Sequence, residues 1–469
     1  MREEGINTVP RGGKPLKILL WHGYLLTGTG SNLYTANLAR EWRTGGQDVL
    51  VLCQDRAAAT YSFVDAAGDF APTNDDFSVV DTGAPRARGR AVVARPDIGS
   101  ILPVYVYDEY AGFVAKRFVD LDEAELEQYT RANITALVTA IQRHEPDAII
   151  TGHEVMGPYI ASEACRSTGT EYVAKLHGSG LEYAVKLQER YLRYAVEGLG
   201  AAKAITGGSR YMIKAASDVI PGWVERAEVV SPGADIDLFK PLPRDASGPP
   251  VVGYVGKFIR AKGVHNFLSA LGLTDIPGLQ AVAVGFGGYE AGLKALWRAM
   301  QNGDRAEVAR LARQGDDEPL TDLLSFLDSL DDDRAFFARV AEIPMEWPGR
   351  LEHEPLAKVL PHWDVLVVPS IIPEAFGMVA AEAAACGVLP VVPRHSGIGE
   401  IGAILEAELG AEGLLTFDPN DPIVDQARTV QRLLSMPEEG LTAIRETVTD
   451  VARRLWSWKR TATRLLELV

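Results

Sequence analysis

The sequence predicts an α/β protein built from two doubly wound halves, each organised around a mostly parallel sheet. Three observations carry that prediction. Short apolar runs such as Leu16–Trp21, Asp48–Cys53 and Val251–Val255 alternate with longer helix-patterned segments. The stretch Lys240–Pro250 is dense in proline and polar residues, reads as a linker, and is followed by a restart of the same alternation. The composition, 47% hydrophobic with 45 glycines and 27 prolines in 469 residues, suits two sizeable cores joined by many tight turns.

In chain order, Leu16–Trp21 is a first strand and Gly23–Gly30 a glycine-containing loop. Ser31 is placed to cap a helix that runs through Leu33 and Leu38 to Trp42 and ends at Gly45 and Gly46. Asp48–Cys53 completes an opening βαβ unit. Residues 57–100 are polar and glycine-rich, with a few short strands. A long helix is expected from Asp120 to His144, then strands at Ala148–Thr151, Tyr172–Leu176 and Ala204–Thr206. After the linker, strands follow at Val251–Val255, Ala281–Val284 and Val365–Val368. Residues 300–335 are unusually acidic and read as a solvated helical insertion, with a partner or acceptor surface as the sharper alternative. The expected divisions are 1–240, 251–450, and a terminal helix over 451–469.

The bulk numbers narrow the function. A net charge of −16 argues against a general binder of nucleic acid or anionic membrane. Cys53, Cys165 and Cys386 are far apart and form neither a CxxC pair nor a ligand cluster, so no disulfide framework or structural metal is expected. Met1 to Pro15 lacks the apolar core of a signal peptide, and no apolar run approaches a membrane span. A soluble cytoplasmic protein with a short disordered N-terminal tail is the expectation.

The densest chemical signal lies between Pro369 and Gly387. The apolar run Val365–Val368 gives way to a loop punctuated by Pro369 and Pro373, and a helix is expected from about Phe376. Glu374 falls at the mouth of that helix and Glu382 about two turns in. Eight residues at about 100° each leave a net rotation of about 80°, so both carboxylates can border one cleft. The first-turn N–H groups at Phe376, Gly377 and Met378 would favour an anion there. A second cluster, Gly256-Lys257 through Arg260 to Lys262-Gly263, follows the Val251 strand, and such cations can neutralise a diphosphate leaving group. In the first half, Gly28 and Gly30 precede a helix and allow a phosphate to approach the backbone. His153 and His177 each follow a strand.

Taken in order, these motifs resemble the retaining glycosyltransferases of the GT-B fold, especially the GT4 family. The resemblance rests on Glu374 and Glu382 in an E-x7-E pattern, Lys262-Gly263, Gly285 with Gly287, the stretch Trp347–Leu351, Ser396–Glu400, and a histidine at two strand ends. It implies two Rossmann-like domains facing a deep interdomain cleft, and a terminal helix that crosses back to the first domain. It also implies roles. Glu374 and the N–H groups of Phe376, Gly377 and Met378 would orient the donor sugar, and Glu382 would hold the ribose. Lys257 and Lys262 would stabilise the departing diphosphate, and His153 would approach the transferred sugar. Gly28, Gly30, Gly256, Gly285, Arg350 and Leu351 would complete the donor site. The family commonly has arginine where this chain has Lys257, and a lysine offers a point charge where arginine offers a fork.

The resemblance therefore implies a metal-independent hexosyltransferase that needs no cofactor beyond a nucleoside diphosphate sugar and acts on a hydroxyl acceptor. No Gly-x-Ser-x-Gly, HExxH or strand-end Asp-x-Asp pattern suggests hydrolysis or a metal-dependent transfer. The alternatives are a GT-B sugar-nucleotide epimerase or phosphorylase, and a nucleotide-sugar-binding protein without turnover.

Overall fold

The apolar runs become parallel strands buried on both faces. A computed structural model of the chain describes residues 14–106, 110, 112–244 and 248–469. These divide into two compact units, one running to Gly233 and resuming over Trp458–Val469, the other spanning Ala234–Ser457. The unit boundary thus falls ahead of the Lys240–Pro250 linker. Most of the expected N-terminal tail, and residues 245–247 of the linker, lie outside the described residues.

The first unit contains β1 (Lys17–Trp21), β2 (Asp48–Leu52), β3 (Ala66–Phe70), β4 (Phe77–Asp81), β5 (Arg90–Arg95), β6 (Ile101–Val104), β7 (Val114–Arg117), β8 (Ala148–Gly152), β9 (Val173–Lys175), β10 (Ala204–Gly207) and β11 (Ala227–Val229). Its main sheet has the order β11-β10-β9-β8-β1-β2-β5-β3-β4, while β6 and β7 pair separately. All of its neighbours are parallel except β3 and β4. Ile18, Leu19 and Val49 are fully buried at its centre, as continuous apolar strands covered on both faces must be. The antiparallel edge strand β4 is largely exposed, which is why residues 57–100 carry a weak pattern.

Three local expectations are corrected. The first helix spans Gly30–Thr44 with Thr29 in the cap position, so Ser31 lies inside it and caps nothing. The long helix begins at Glu123, not Asp120, because Asp122 and Glu125 form a reciprocal capping box. The C-terminal segment is two helices, Glu438–Leu455 in the second unit and Trp458–Leu466 in the first, separated at Trp456 and Ser457. Trp458 packs edge-on against Tyr34 at 5.5 Å, and the Trp42 indole N–H donates to the Ala462 carbonyl at 3.1 Å.

The second unit holds β12 (Val251–Lys257), β13 (Gln280–Phe286), β14 (Met345–Gly349), β15 (Val365–Val367), β16 (Leu389–Pro393) and β17 (Thr416–Phe417). They form one parallel sheet in the order β14-β13-β12-β15-β16-β17. The acidic segment is helical, with helices at Arg305–Gln314, Thr321–Ser329 and Arg334–Glu342. Its acids at Asp317, Glu318, Asp331 and Asp332 face solvent, but Val308, Leu320, Leu323 and Phe336 join the core of the unit.

Each main sheet has a switch point where the strand order reverses. β1 lies between β2 and β8, and β12 lies between β13 and β15. Ligands of open α/β sheets bind beyond the carboxyl ends of the strands at such a switch point. The loops after β1 and β8 carry Gly28 and His153, and those after β12 and β15 carry Lys262 and Glu374.

Candidate active site

In the second unit, the switch point brings Lys262 and Glu374 together. Lys262 stands at the end of a 3-10 turn, Arg260–Lys262, and Gly263 follows it at a φ of +67°. A side chain at Gly263 would place its Cβ 1.8 Å from the Pro369 carbonyl, so glycine is what allows the two loops to touch. The Ile371 N–H donates to the Ala261 carbonyl at 3.0 Å and fastens them. Across this seam the Lys262 ammonium donates to Oε1 of Glu374, and the Ser370 hydroxyl donates to the same oxygen at 2.6 Å. Both bonds use Oε1, and among the described residues no hydrogen bond takes Oε2. Burial by itself would raise the Glu374 pKa; Lys262 in particular overcomes it, with Ser370 and His395, and holds the carboxyl below its ordinary value.

The backbone around Glu374 is fixed as firmly. Its N–H donates to the Ser396 hydroxyl at 2.9 Å, and its carbonyl accepts from the Gly397 N–H at 2.8 Å. His395 bridges the group, with Nδ1 2.9 Å from the Ser396 hydroxyl and Nε2 3.0 Å from the Ser370 carbonyl. Ser370 and His395 were not selected from the sequence; the proline-serine pair after β15 was the available signal for the first, and His395 had none. The helix after Glu374 spans Met378–Ala385, two residues later than expected, because Gly377 at φ +113° occupies the cap. Among the described residues, no hydrogen bond takes the N–H groups of Phe376, Gly377 and Met378, which remain available to an anion.

The other expected donor residues of this unit have partners of their own. Glu382 is 5% exposed and its Oε1 lies 3.3 Å from Nε2 of His353, whose pKa is raised because this bond outweighs burial. Lys257 and Arg350 share one aromatic ring: their charged groups lie 5.9 and 4.9 Å from the centroid of Phe286. Arg350 also pairs with Glu352 at 2.7 Å, and Leu351 is half-buried. Gly256 and Gly285 are register partners of β12 and β13; a Cβ on Gly285 would fall 1.9 Å from the Gly256 carbonyl, so close strand packing accounts for the second glycine. Arg260 is turned to the acidic segment, its N–H donating to Asp316 at 2.8 Å and its guanidinium pairing with Glu318 at 2.7 Å. A cavity of ≈ 710 Å³ opens beside His395 and Ser396, but Lys262, Glu374 and Glu382 do not line it.

In the first unit, the switch point gathers aromatic and imidazole rings. His153, 2% exposed, follows β8 with its ring 4.8 Å from that of His177 and 6.1 Å from that of His22. Burial depresses all three imidazoles, His22 to about 4, so they are neutral near pH 7. Tyr24 and Tyr105 complete the ring cluster, and His22 is held by Asn32 at 2.8 Å. Gly28, at φ +97°, and Gly30 are exposed at the start of the first helix, and a Cβ at Gly28 would meet open space.

Two units built on largely parallel sheets, with a Lys262–Glu374 network at the mouth of an alanine-rich helix in the second, define the class of fold as GT-B. Residues 341–447, within the second unit, match the family model described as Glycosyl transferases group 1. Over 249 residues the chain is 30% identical to the D-inositol 3-phosphate glycosyltransferase of Mycolicibacterium smegmatis, covering 51% of this chain and 46% of that protein. A shorter match, 43% over 108 residues, joins it to the D-inositol 3-phosphate glycosyltransferase of Salinispora arenicola, covering 22% of this chain and 21% of that protein. The chain thus spans about half the length, or less, of these curated relatives. The fold matches sucrose-phosphate synthase from Thermosynechococcus elongatus with a TM-score of 0.59 at 18% identity, covering 97% and 98% of the two chains. It matches Anabaena Alr3699/HepE in complex with UDP with a TM-score of 0.60 at 17% identity, covering 96% and 99%. Among the described residues, no helix is long and apolar enough to cross a membrane.

Proposed function

We propose that this protein is a retaining, metal-independent glycosyltransferase that moves a hexosyl group from a nucleoside diphosphate sugar to a hydroxyl acceptor. The observation that carries the reading is the Lys262–Glu374 pair at the switch point, backed by Ser370, Ser396 and His395. With a donor bound, the diphosphate would draw Lys262 and the sugar hydroxyls would engage Glu374, exchanging one ion pair for two ligand contacts. Lys257, gathered with Arg350 on Phe286, would add charge for the diphosphate. Glu382 would take the ribose hydroxyls and His153 the transferred sugar. Solved neighbours of this fold contain UDP and UDP-glucose, which supports a nucleoside diphosphate sugar as donor. The curated relatives are named D-inositol 3-phosphate glycosyltransferases, which makes a phosphorylated polyol the first acceptor to try.

In the transfer, the C1–O bond to the diphosphate breaks and the acceptor oxygen bonds to C1 from the same face. The acceptor proton passes to an oxygen of the departing diphosphate, so donor and alcohol become nucleoside diphosphate and glycoside with the anomeric configuration kept. No protein base is required in this scheme. The protein's part is electrostatic stabilisation of the leaving group and orientation of the sugar.

The test is a screen of UDP-, GDP- and ADP-sugars with hydroxyl acceptors, including inositol 3-phosphate, read as acceptor-dependent nucleotide release and the product's anomeric configuration. Expected are a retained anomeric centre, turnover unaffected by EDTA, and loss of at least about a hundredfold in kcat for Lys262→Ala and Glu374→Ala, as for removal of a positioned electrostatic group. An inverted product or an EDTA-sensitive rate would reject the mechanism. Full activity in both variants would reject the site, and tight donor binding without turnover would make the protein a binder.

A further inference from the structure

Glu154 is fully buried, and nothing in the proposed reaction uses it. Its carboxylate accepts three backbone N–H bonds from a single turn: from His177 at 2.8 Å, Gly178 at 2.6 Å and Leu181 at 3.1 Å. Gly180 lies against the same carboxylate so closely that a Cβ there would fall 2.6 Å from Oε2. Glu154 therefore holds this turn at three backbone positions. It carries Ser179, whose hydroxyl lies 3.1 Å from Nδ1 of His153.

Glu154 also adjoins His153 in the chain, and His153 has a φ of +71°, a left-handed conformation that few non-glycine residues adopt. Such a backbone persists where its surroundings over-determine it. Glu154 supplies that constraint through the turn, and Ser179 fixes the ring. The remaining ring nitrogen, Nε2, is buried and has no hydrogen-bond partner among the described residues. Of the two ring nitrogens, Nε2 is thus the one still open to a partner among the described residues.

We propose that Glu154 and Ser179 are positioning residues that aim Nε2 of His153 at a hydroxyl of the transferred sugar, without touching the donor themselves. This rests on the reading of His153 as the group that meets the sugar.

The experiment uses the full-length protein with Ser179→Ala, Ser179→Thr, His153→Ala and the double variant His153→Ala/Ser179→Ala. Histidine side-chain ¹⁵N spectra without ligand should show one tautomer for His153 in the parent and in Ser179→Thr, and a tautomer mixture in Ser179→Ala. With UDP-glucose as donor probe and nucleotide release as readout, Ser179→Ala should lower kcat by up to about tenfold, the scale of one neutral hydrogen bond, with an unchanged donor KM. Ser179→Thr should restore it, and the double variant should be no slower than His153→Ala alone. If Ser179→Ala does not fold, the near-isosteric Ser179→Cys takes its place with the same expected pattern. A single unchanged tautomer in Ser179→Ala, or additive losses in the double variant, would overturn the proposal. Loss of activity in His153→Ala but not in Ser179→Ala would overturn it while leaving the role of His153 intact. Full activity in His153→Ala would instead overturn the underlying reading.

Discussion

Buried imidazoles and a buried lysine make the first unit sensitive to acid. His22 has its folded pKa lowered to about 4, against an ordinary 6.5, while His153 and His177 are lowered well below 6.5. As pH falls below about 6.5, the unfolded chain binds protons that the folded unit refuses, and stability drops. Lys175, which donates to the Val230 carbonyl at 2.9 Å, is lowered from 10.5 to about 7 by burial, so the same sign applies between those two values. His353, raised above 6.5 by its bond to Glu382, and Glu154, raised above 4.5 by burial, work in the opposite sense and lose their contribution as pH rises through their raised pKa values. The expected outcome is a thermal midpoint that climbs from pH 5 into the alkaline range, with Lys175→Met flattening the limb above pH 7. A midpoint that peaks near pH 6 in the parent would contradict this account.

The turn over Gly315–Glu318 shows what the acidic segment does for its neighbours. Asp316 accepts the Arg260 N–H, Glu318 pairs with the Arg260 guanidinium, and Asp322 accepts from Asn266 at 3.2 Å. The loop that carries Lys262 is therefore held on one side by this turn and on the other by the loop after Pro369. Asp316→Ala is expected to lower kcat/KM by about tenfold through a misplaced Lys262, while Asp316→Asn keeps an acceptor and most of the rate. Equal rates for both variants and the parent would show that the loop holds itself. Gly263→Ala is expected to be more damaging, with about 1–3 kcal/mol from the left-handed backbone alone and a direct clash with Pro369 in addition. Urea denaturation of that variant gives the check: an unchanged midpoint would refute the packing argument.

At the scale of the whole molecule, the chain leaves the first unit at Gly233 and re-enters it at Trp458. The returning helix buries Trp458, Ala462 and Leu465, and contributes to the surroundings of Tyr34 and Trp42. Trp458→Ala should therefore cost about 3–5 kcal/mol, the usual range for removing a buried tryptophan. The loss should appear in the fluorescence and hydrogen exchange of the first unit. Exchange protection that fell only in the second unit would show that the helix is assigned to the wrong core.

The alternation of apolar runs and helical segments by itself determined two parallel-sheet units, because a strand covered on both faces must be apolar along its length. The loops bearing Glu374, Lys262 and His153 were legible for the same reason: each follows such a run. Pairing was another matter. Sequence spacing placed Glu374 with Glu382, eight positions apart, whereas the fold bonds Glu374 to Lys262, 112 positions away, and sets Glu382 beside His353. Strand order decides which loops meet, and nothing local to either loop encodes that order. The buried brace at Glu154 and the support from Ser370 and His395 belong to the same class. Each is an ordinary residue type in its own segment and gains its role only when a second segment brings it donors, acceptors and a low-dielectric setting.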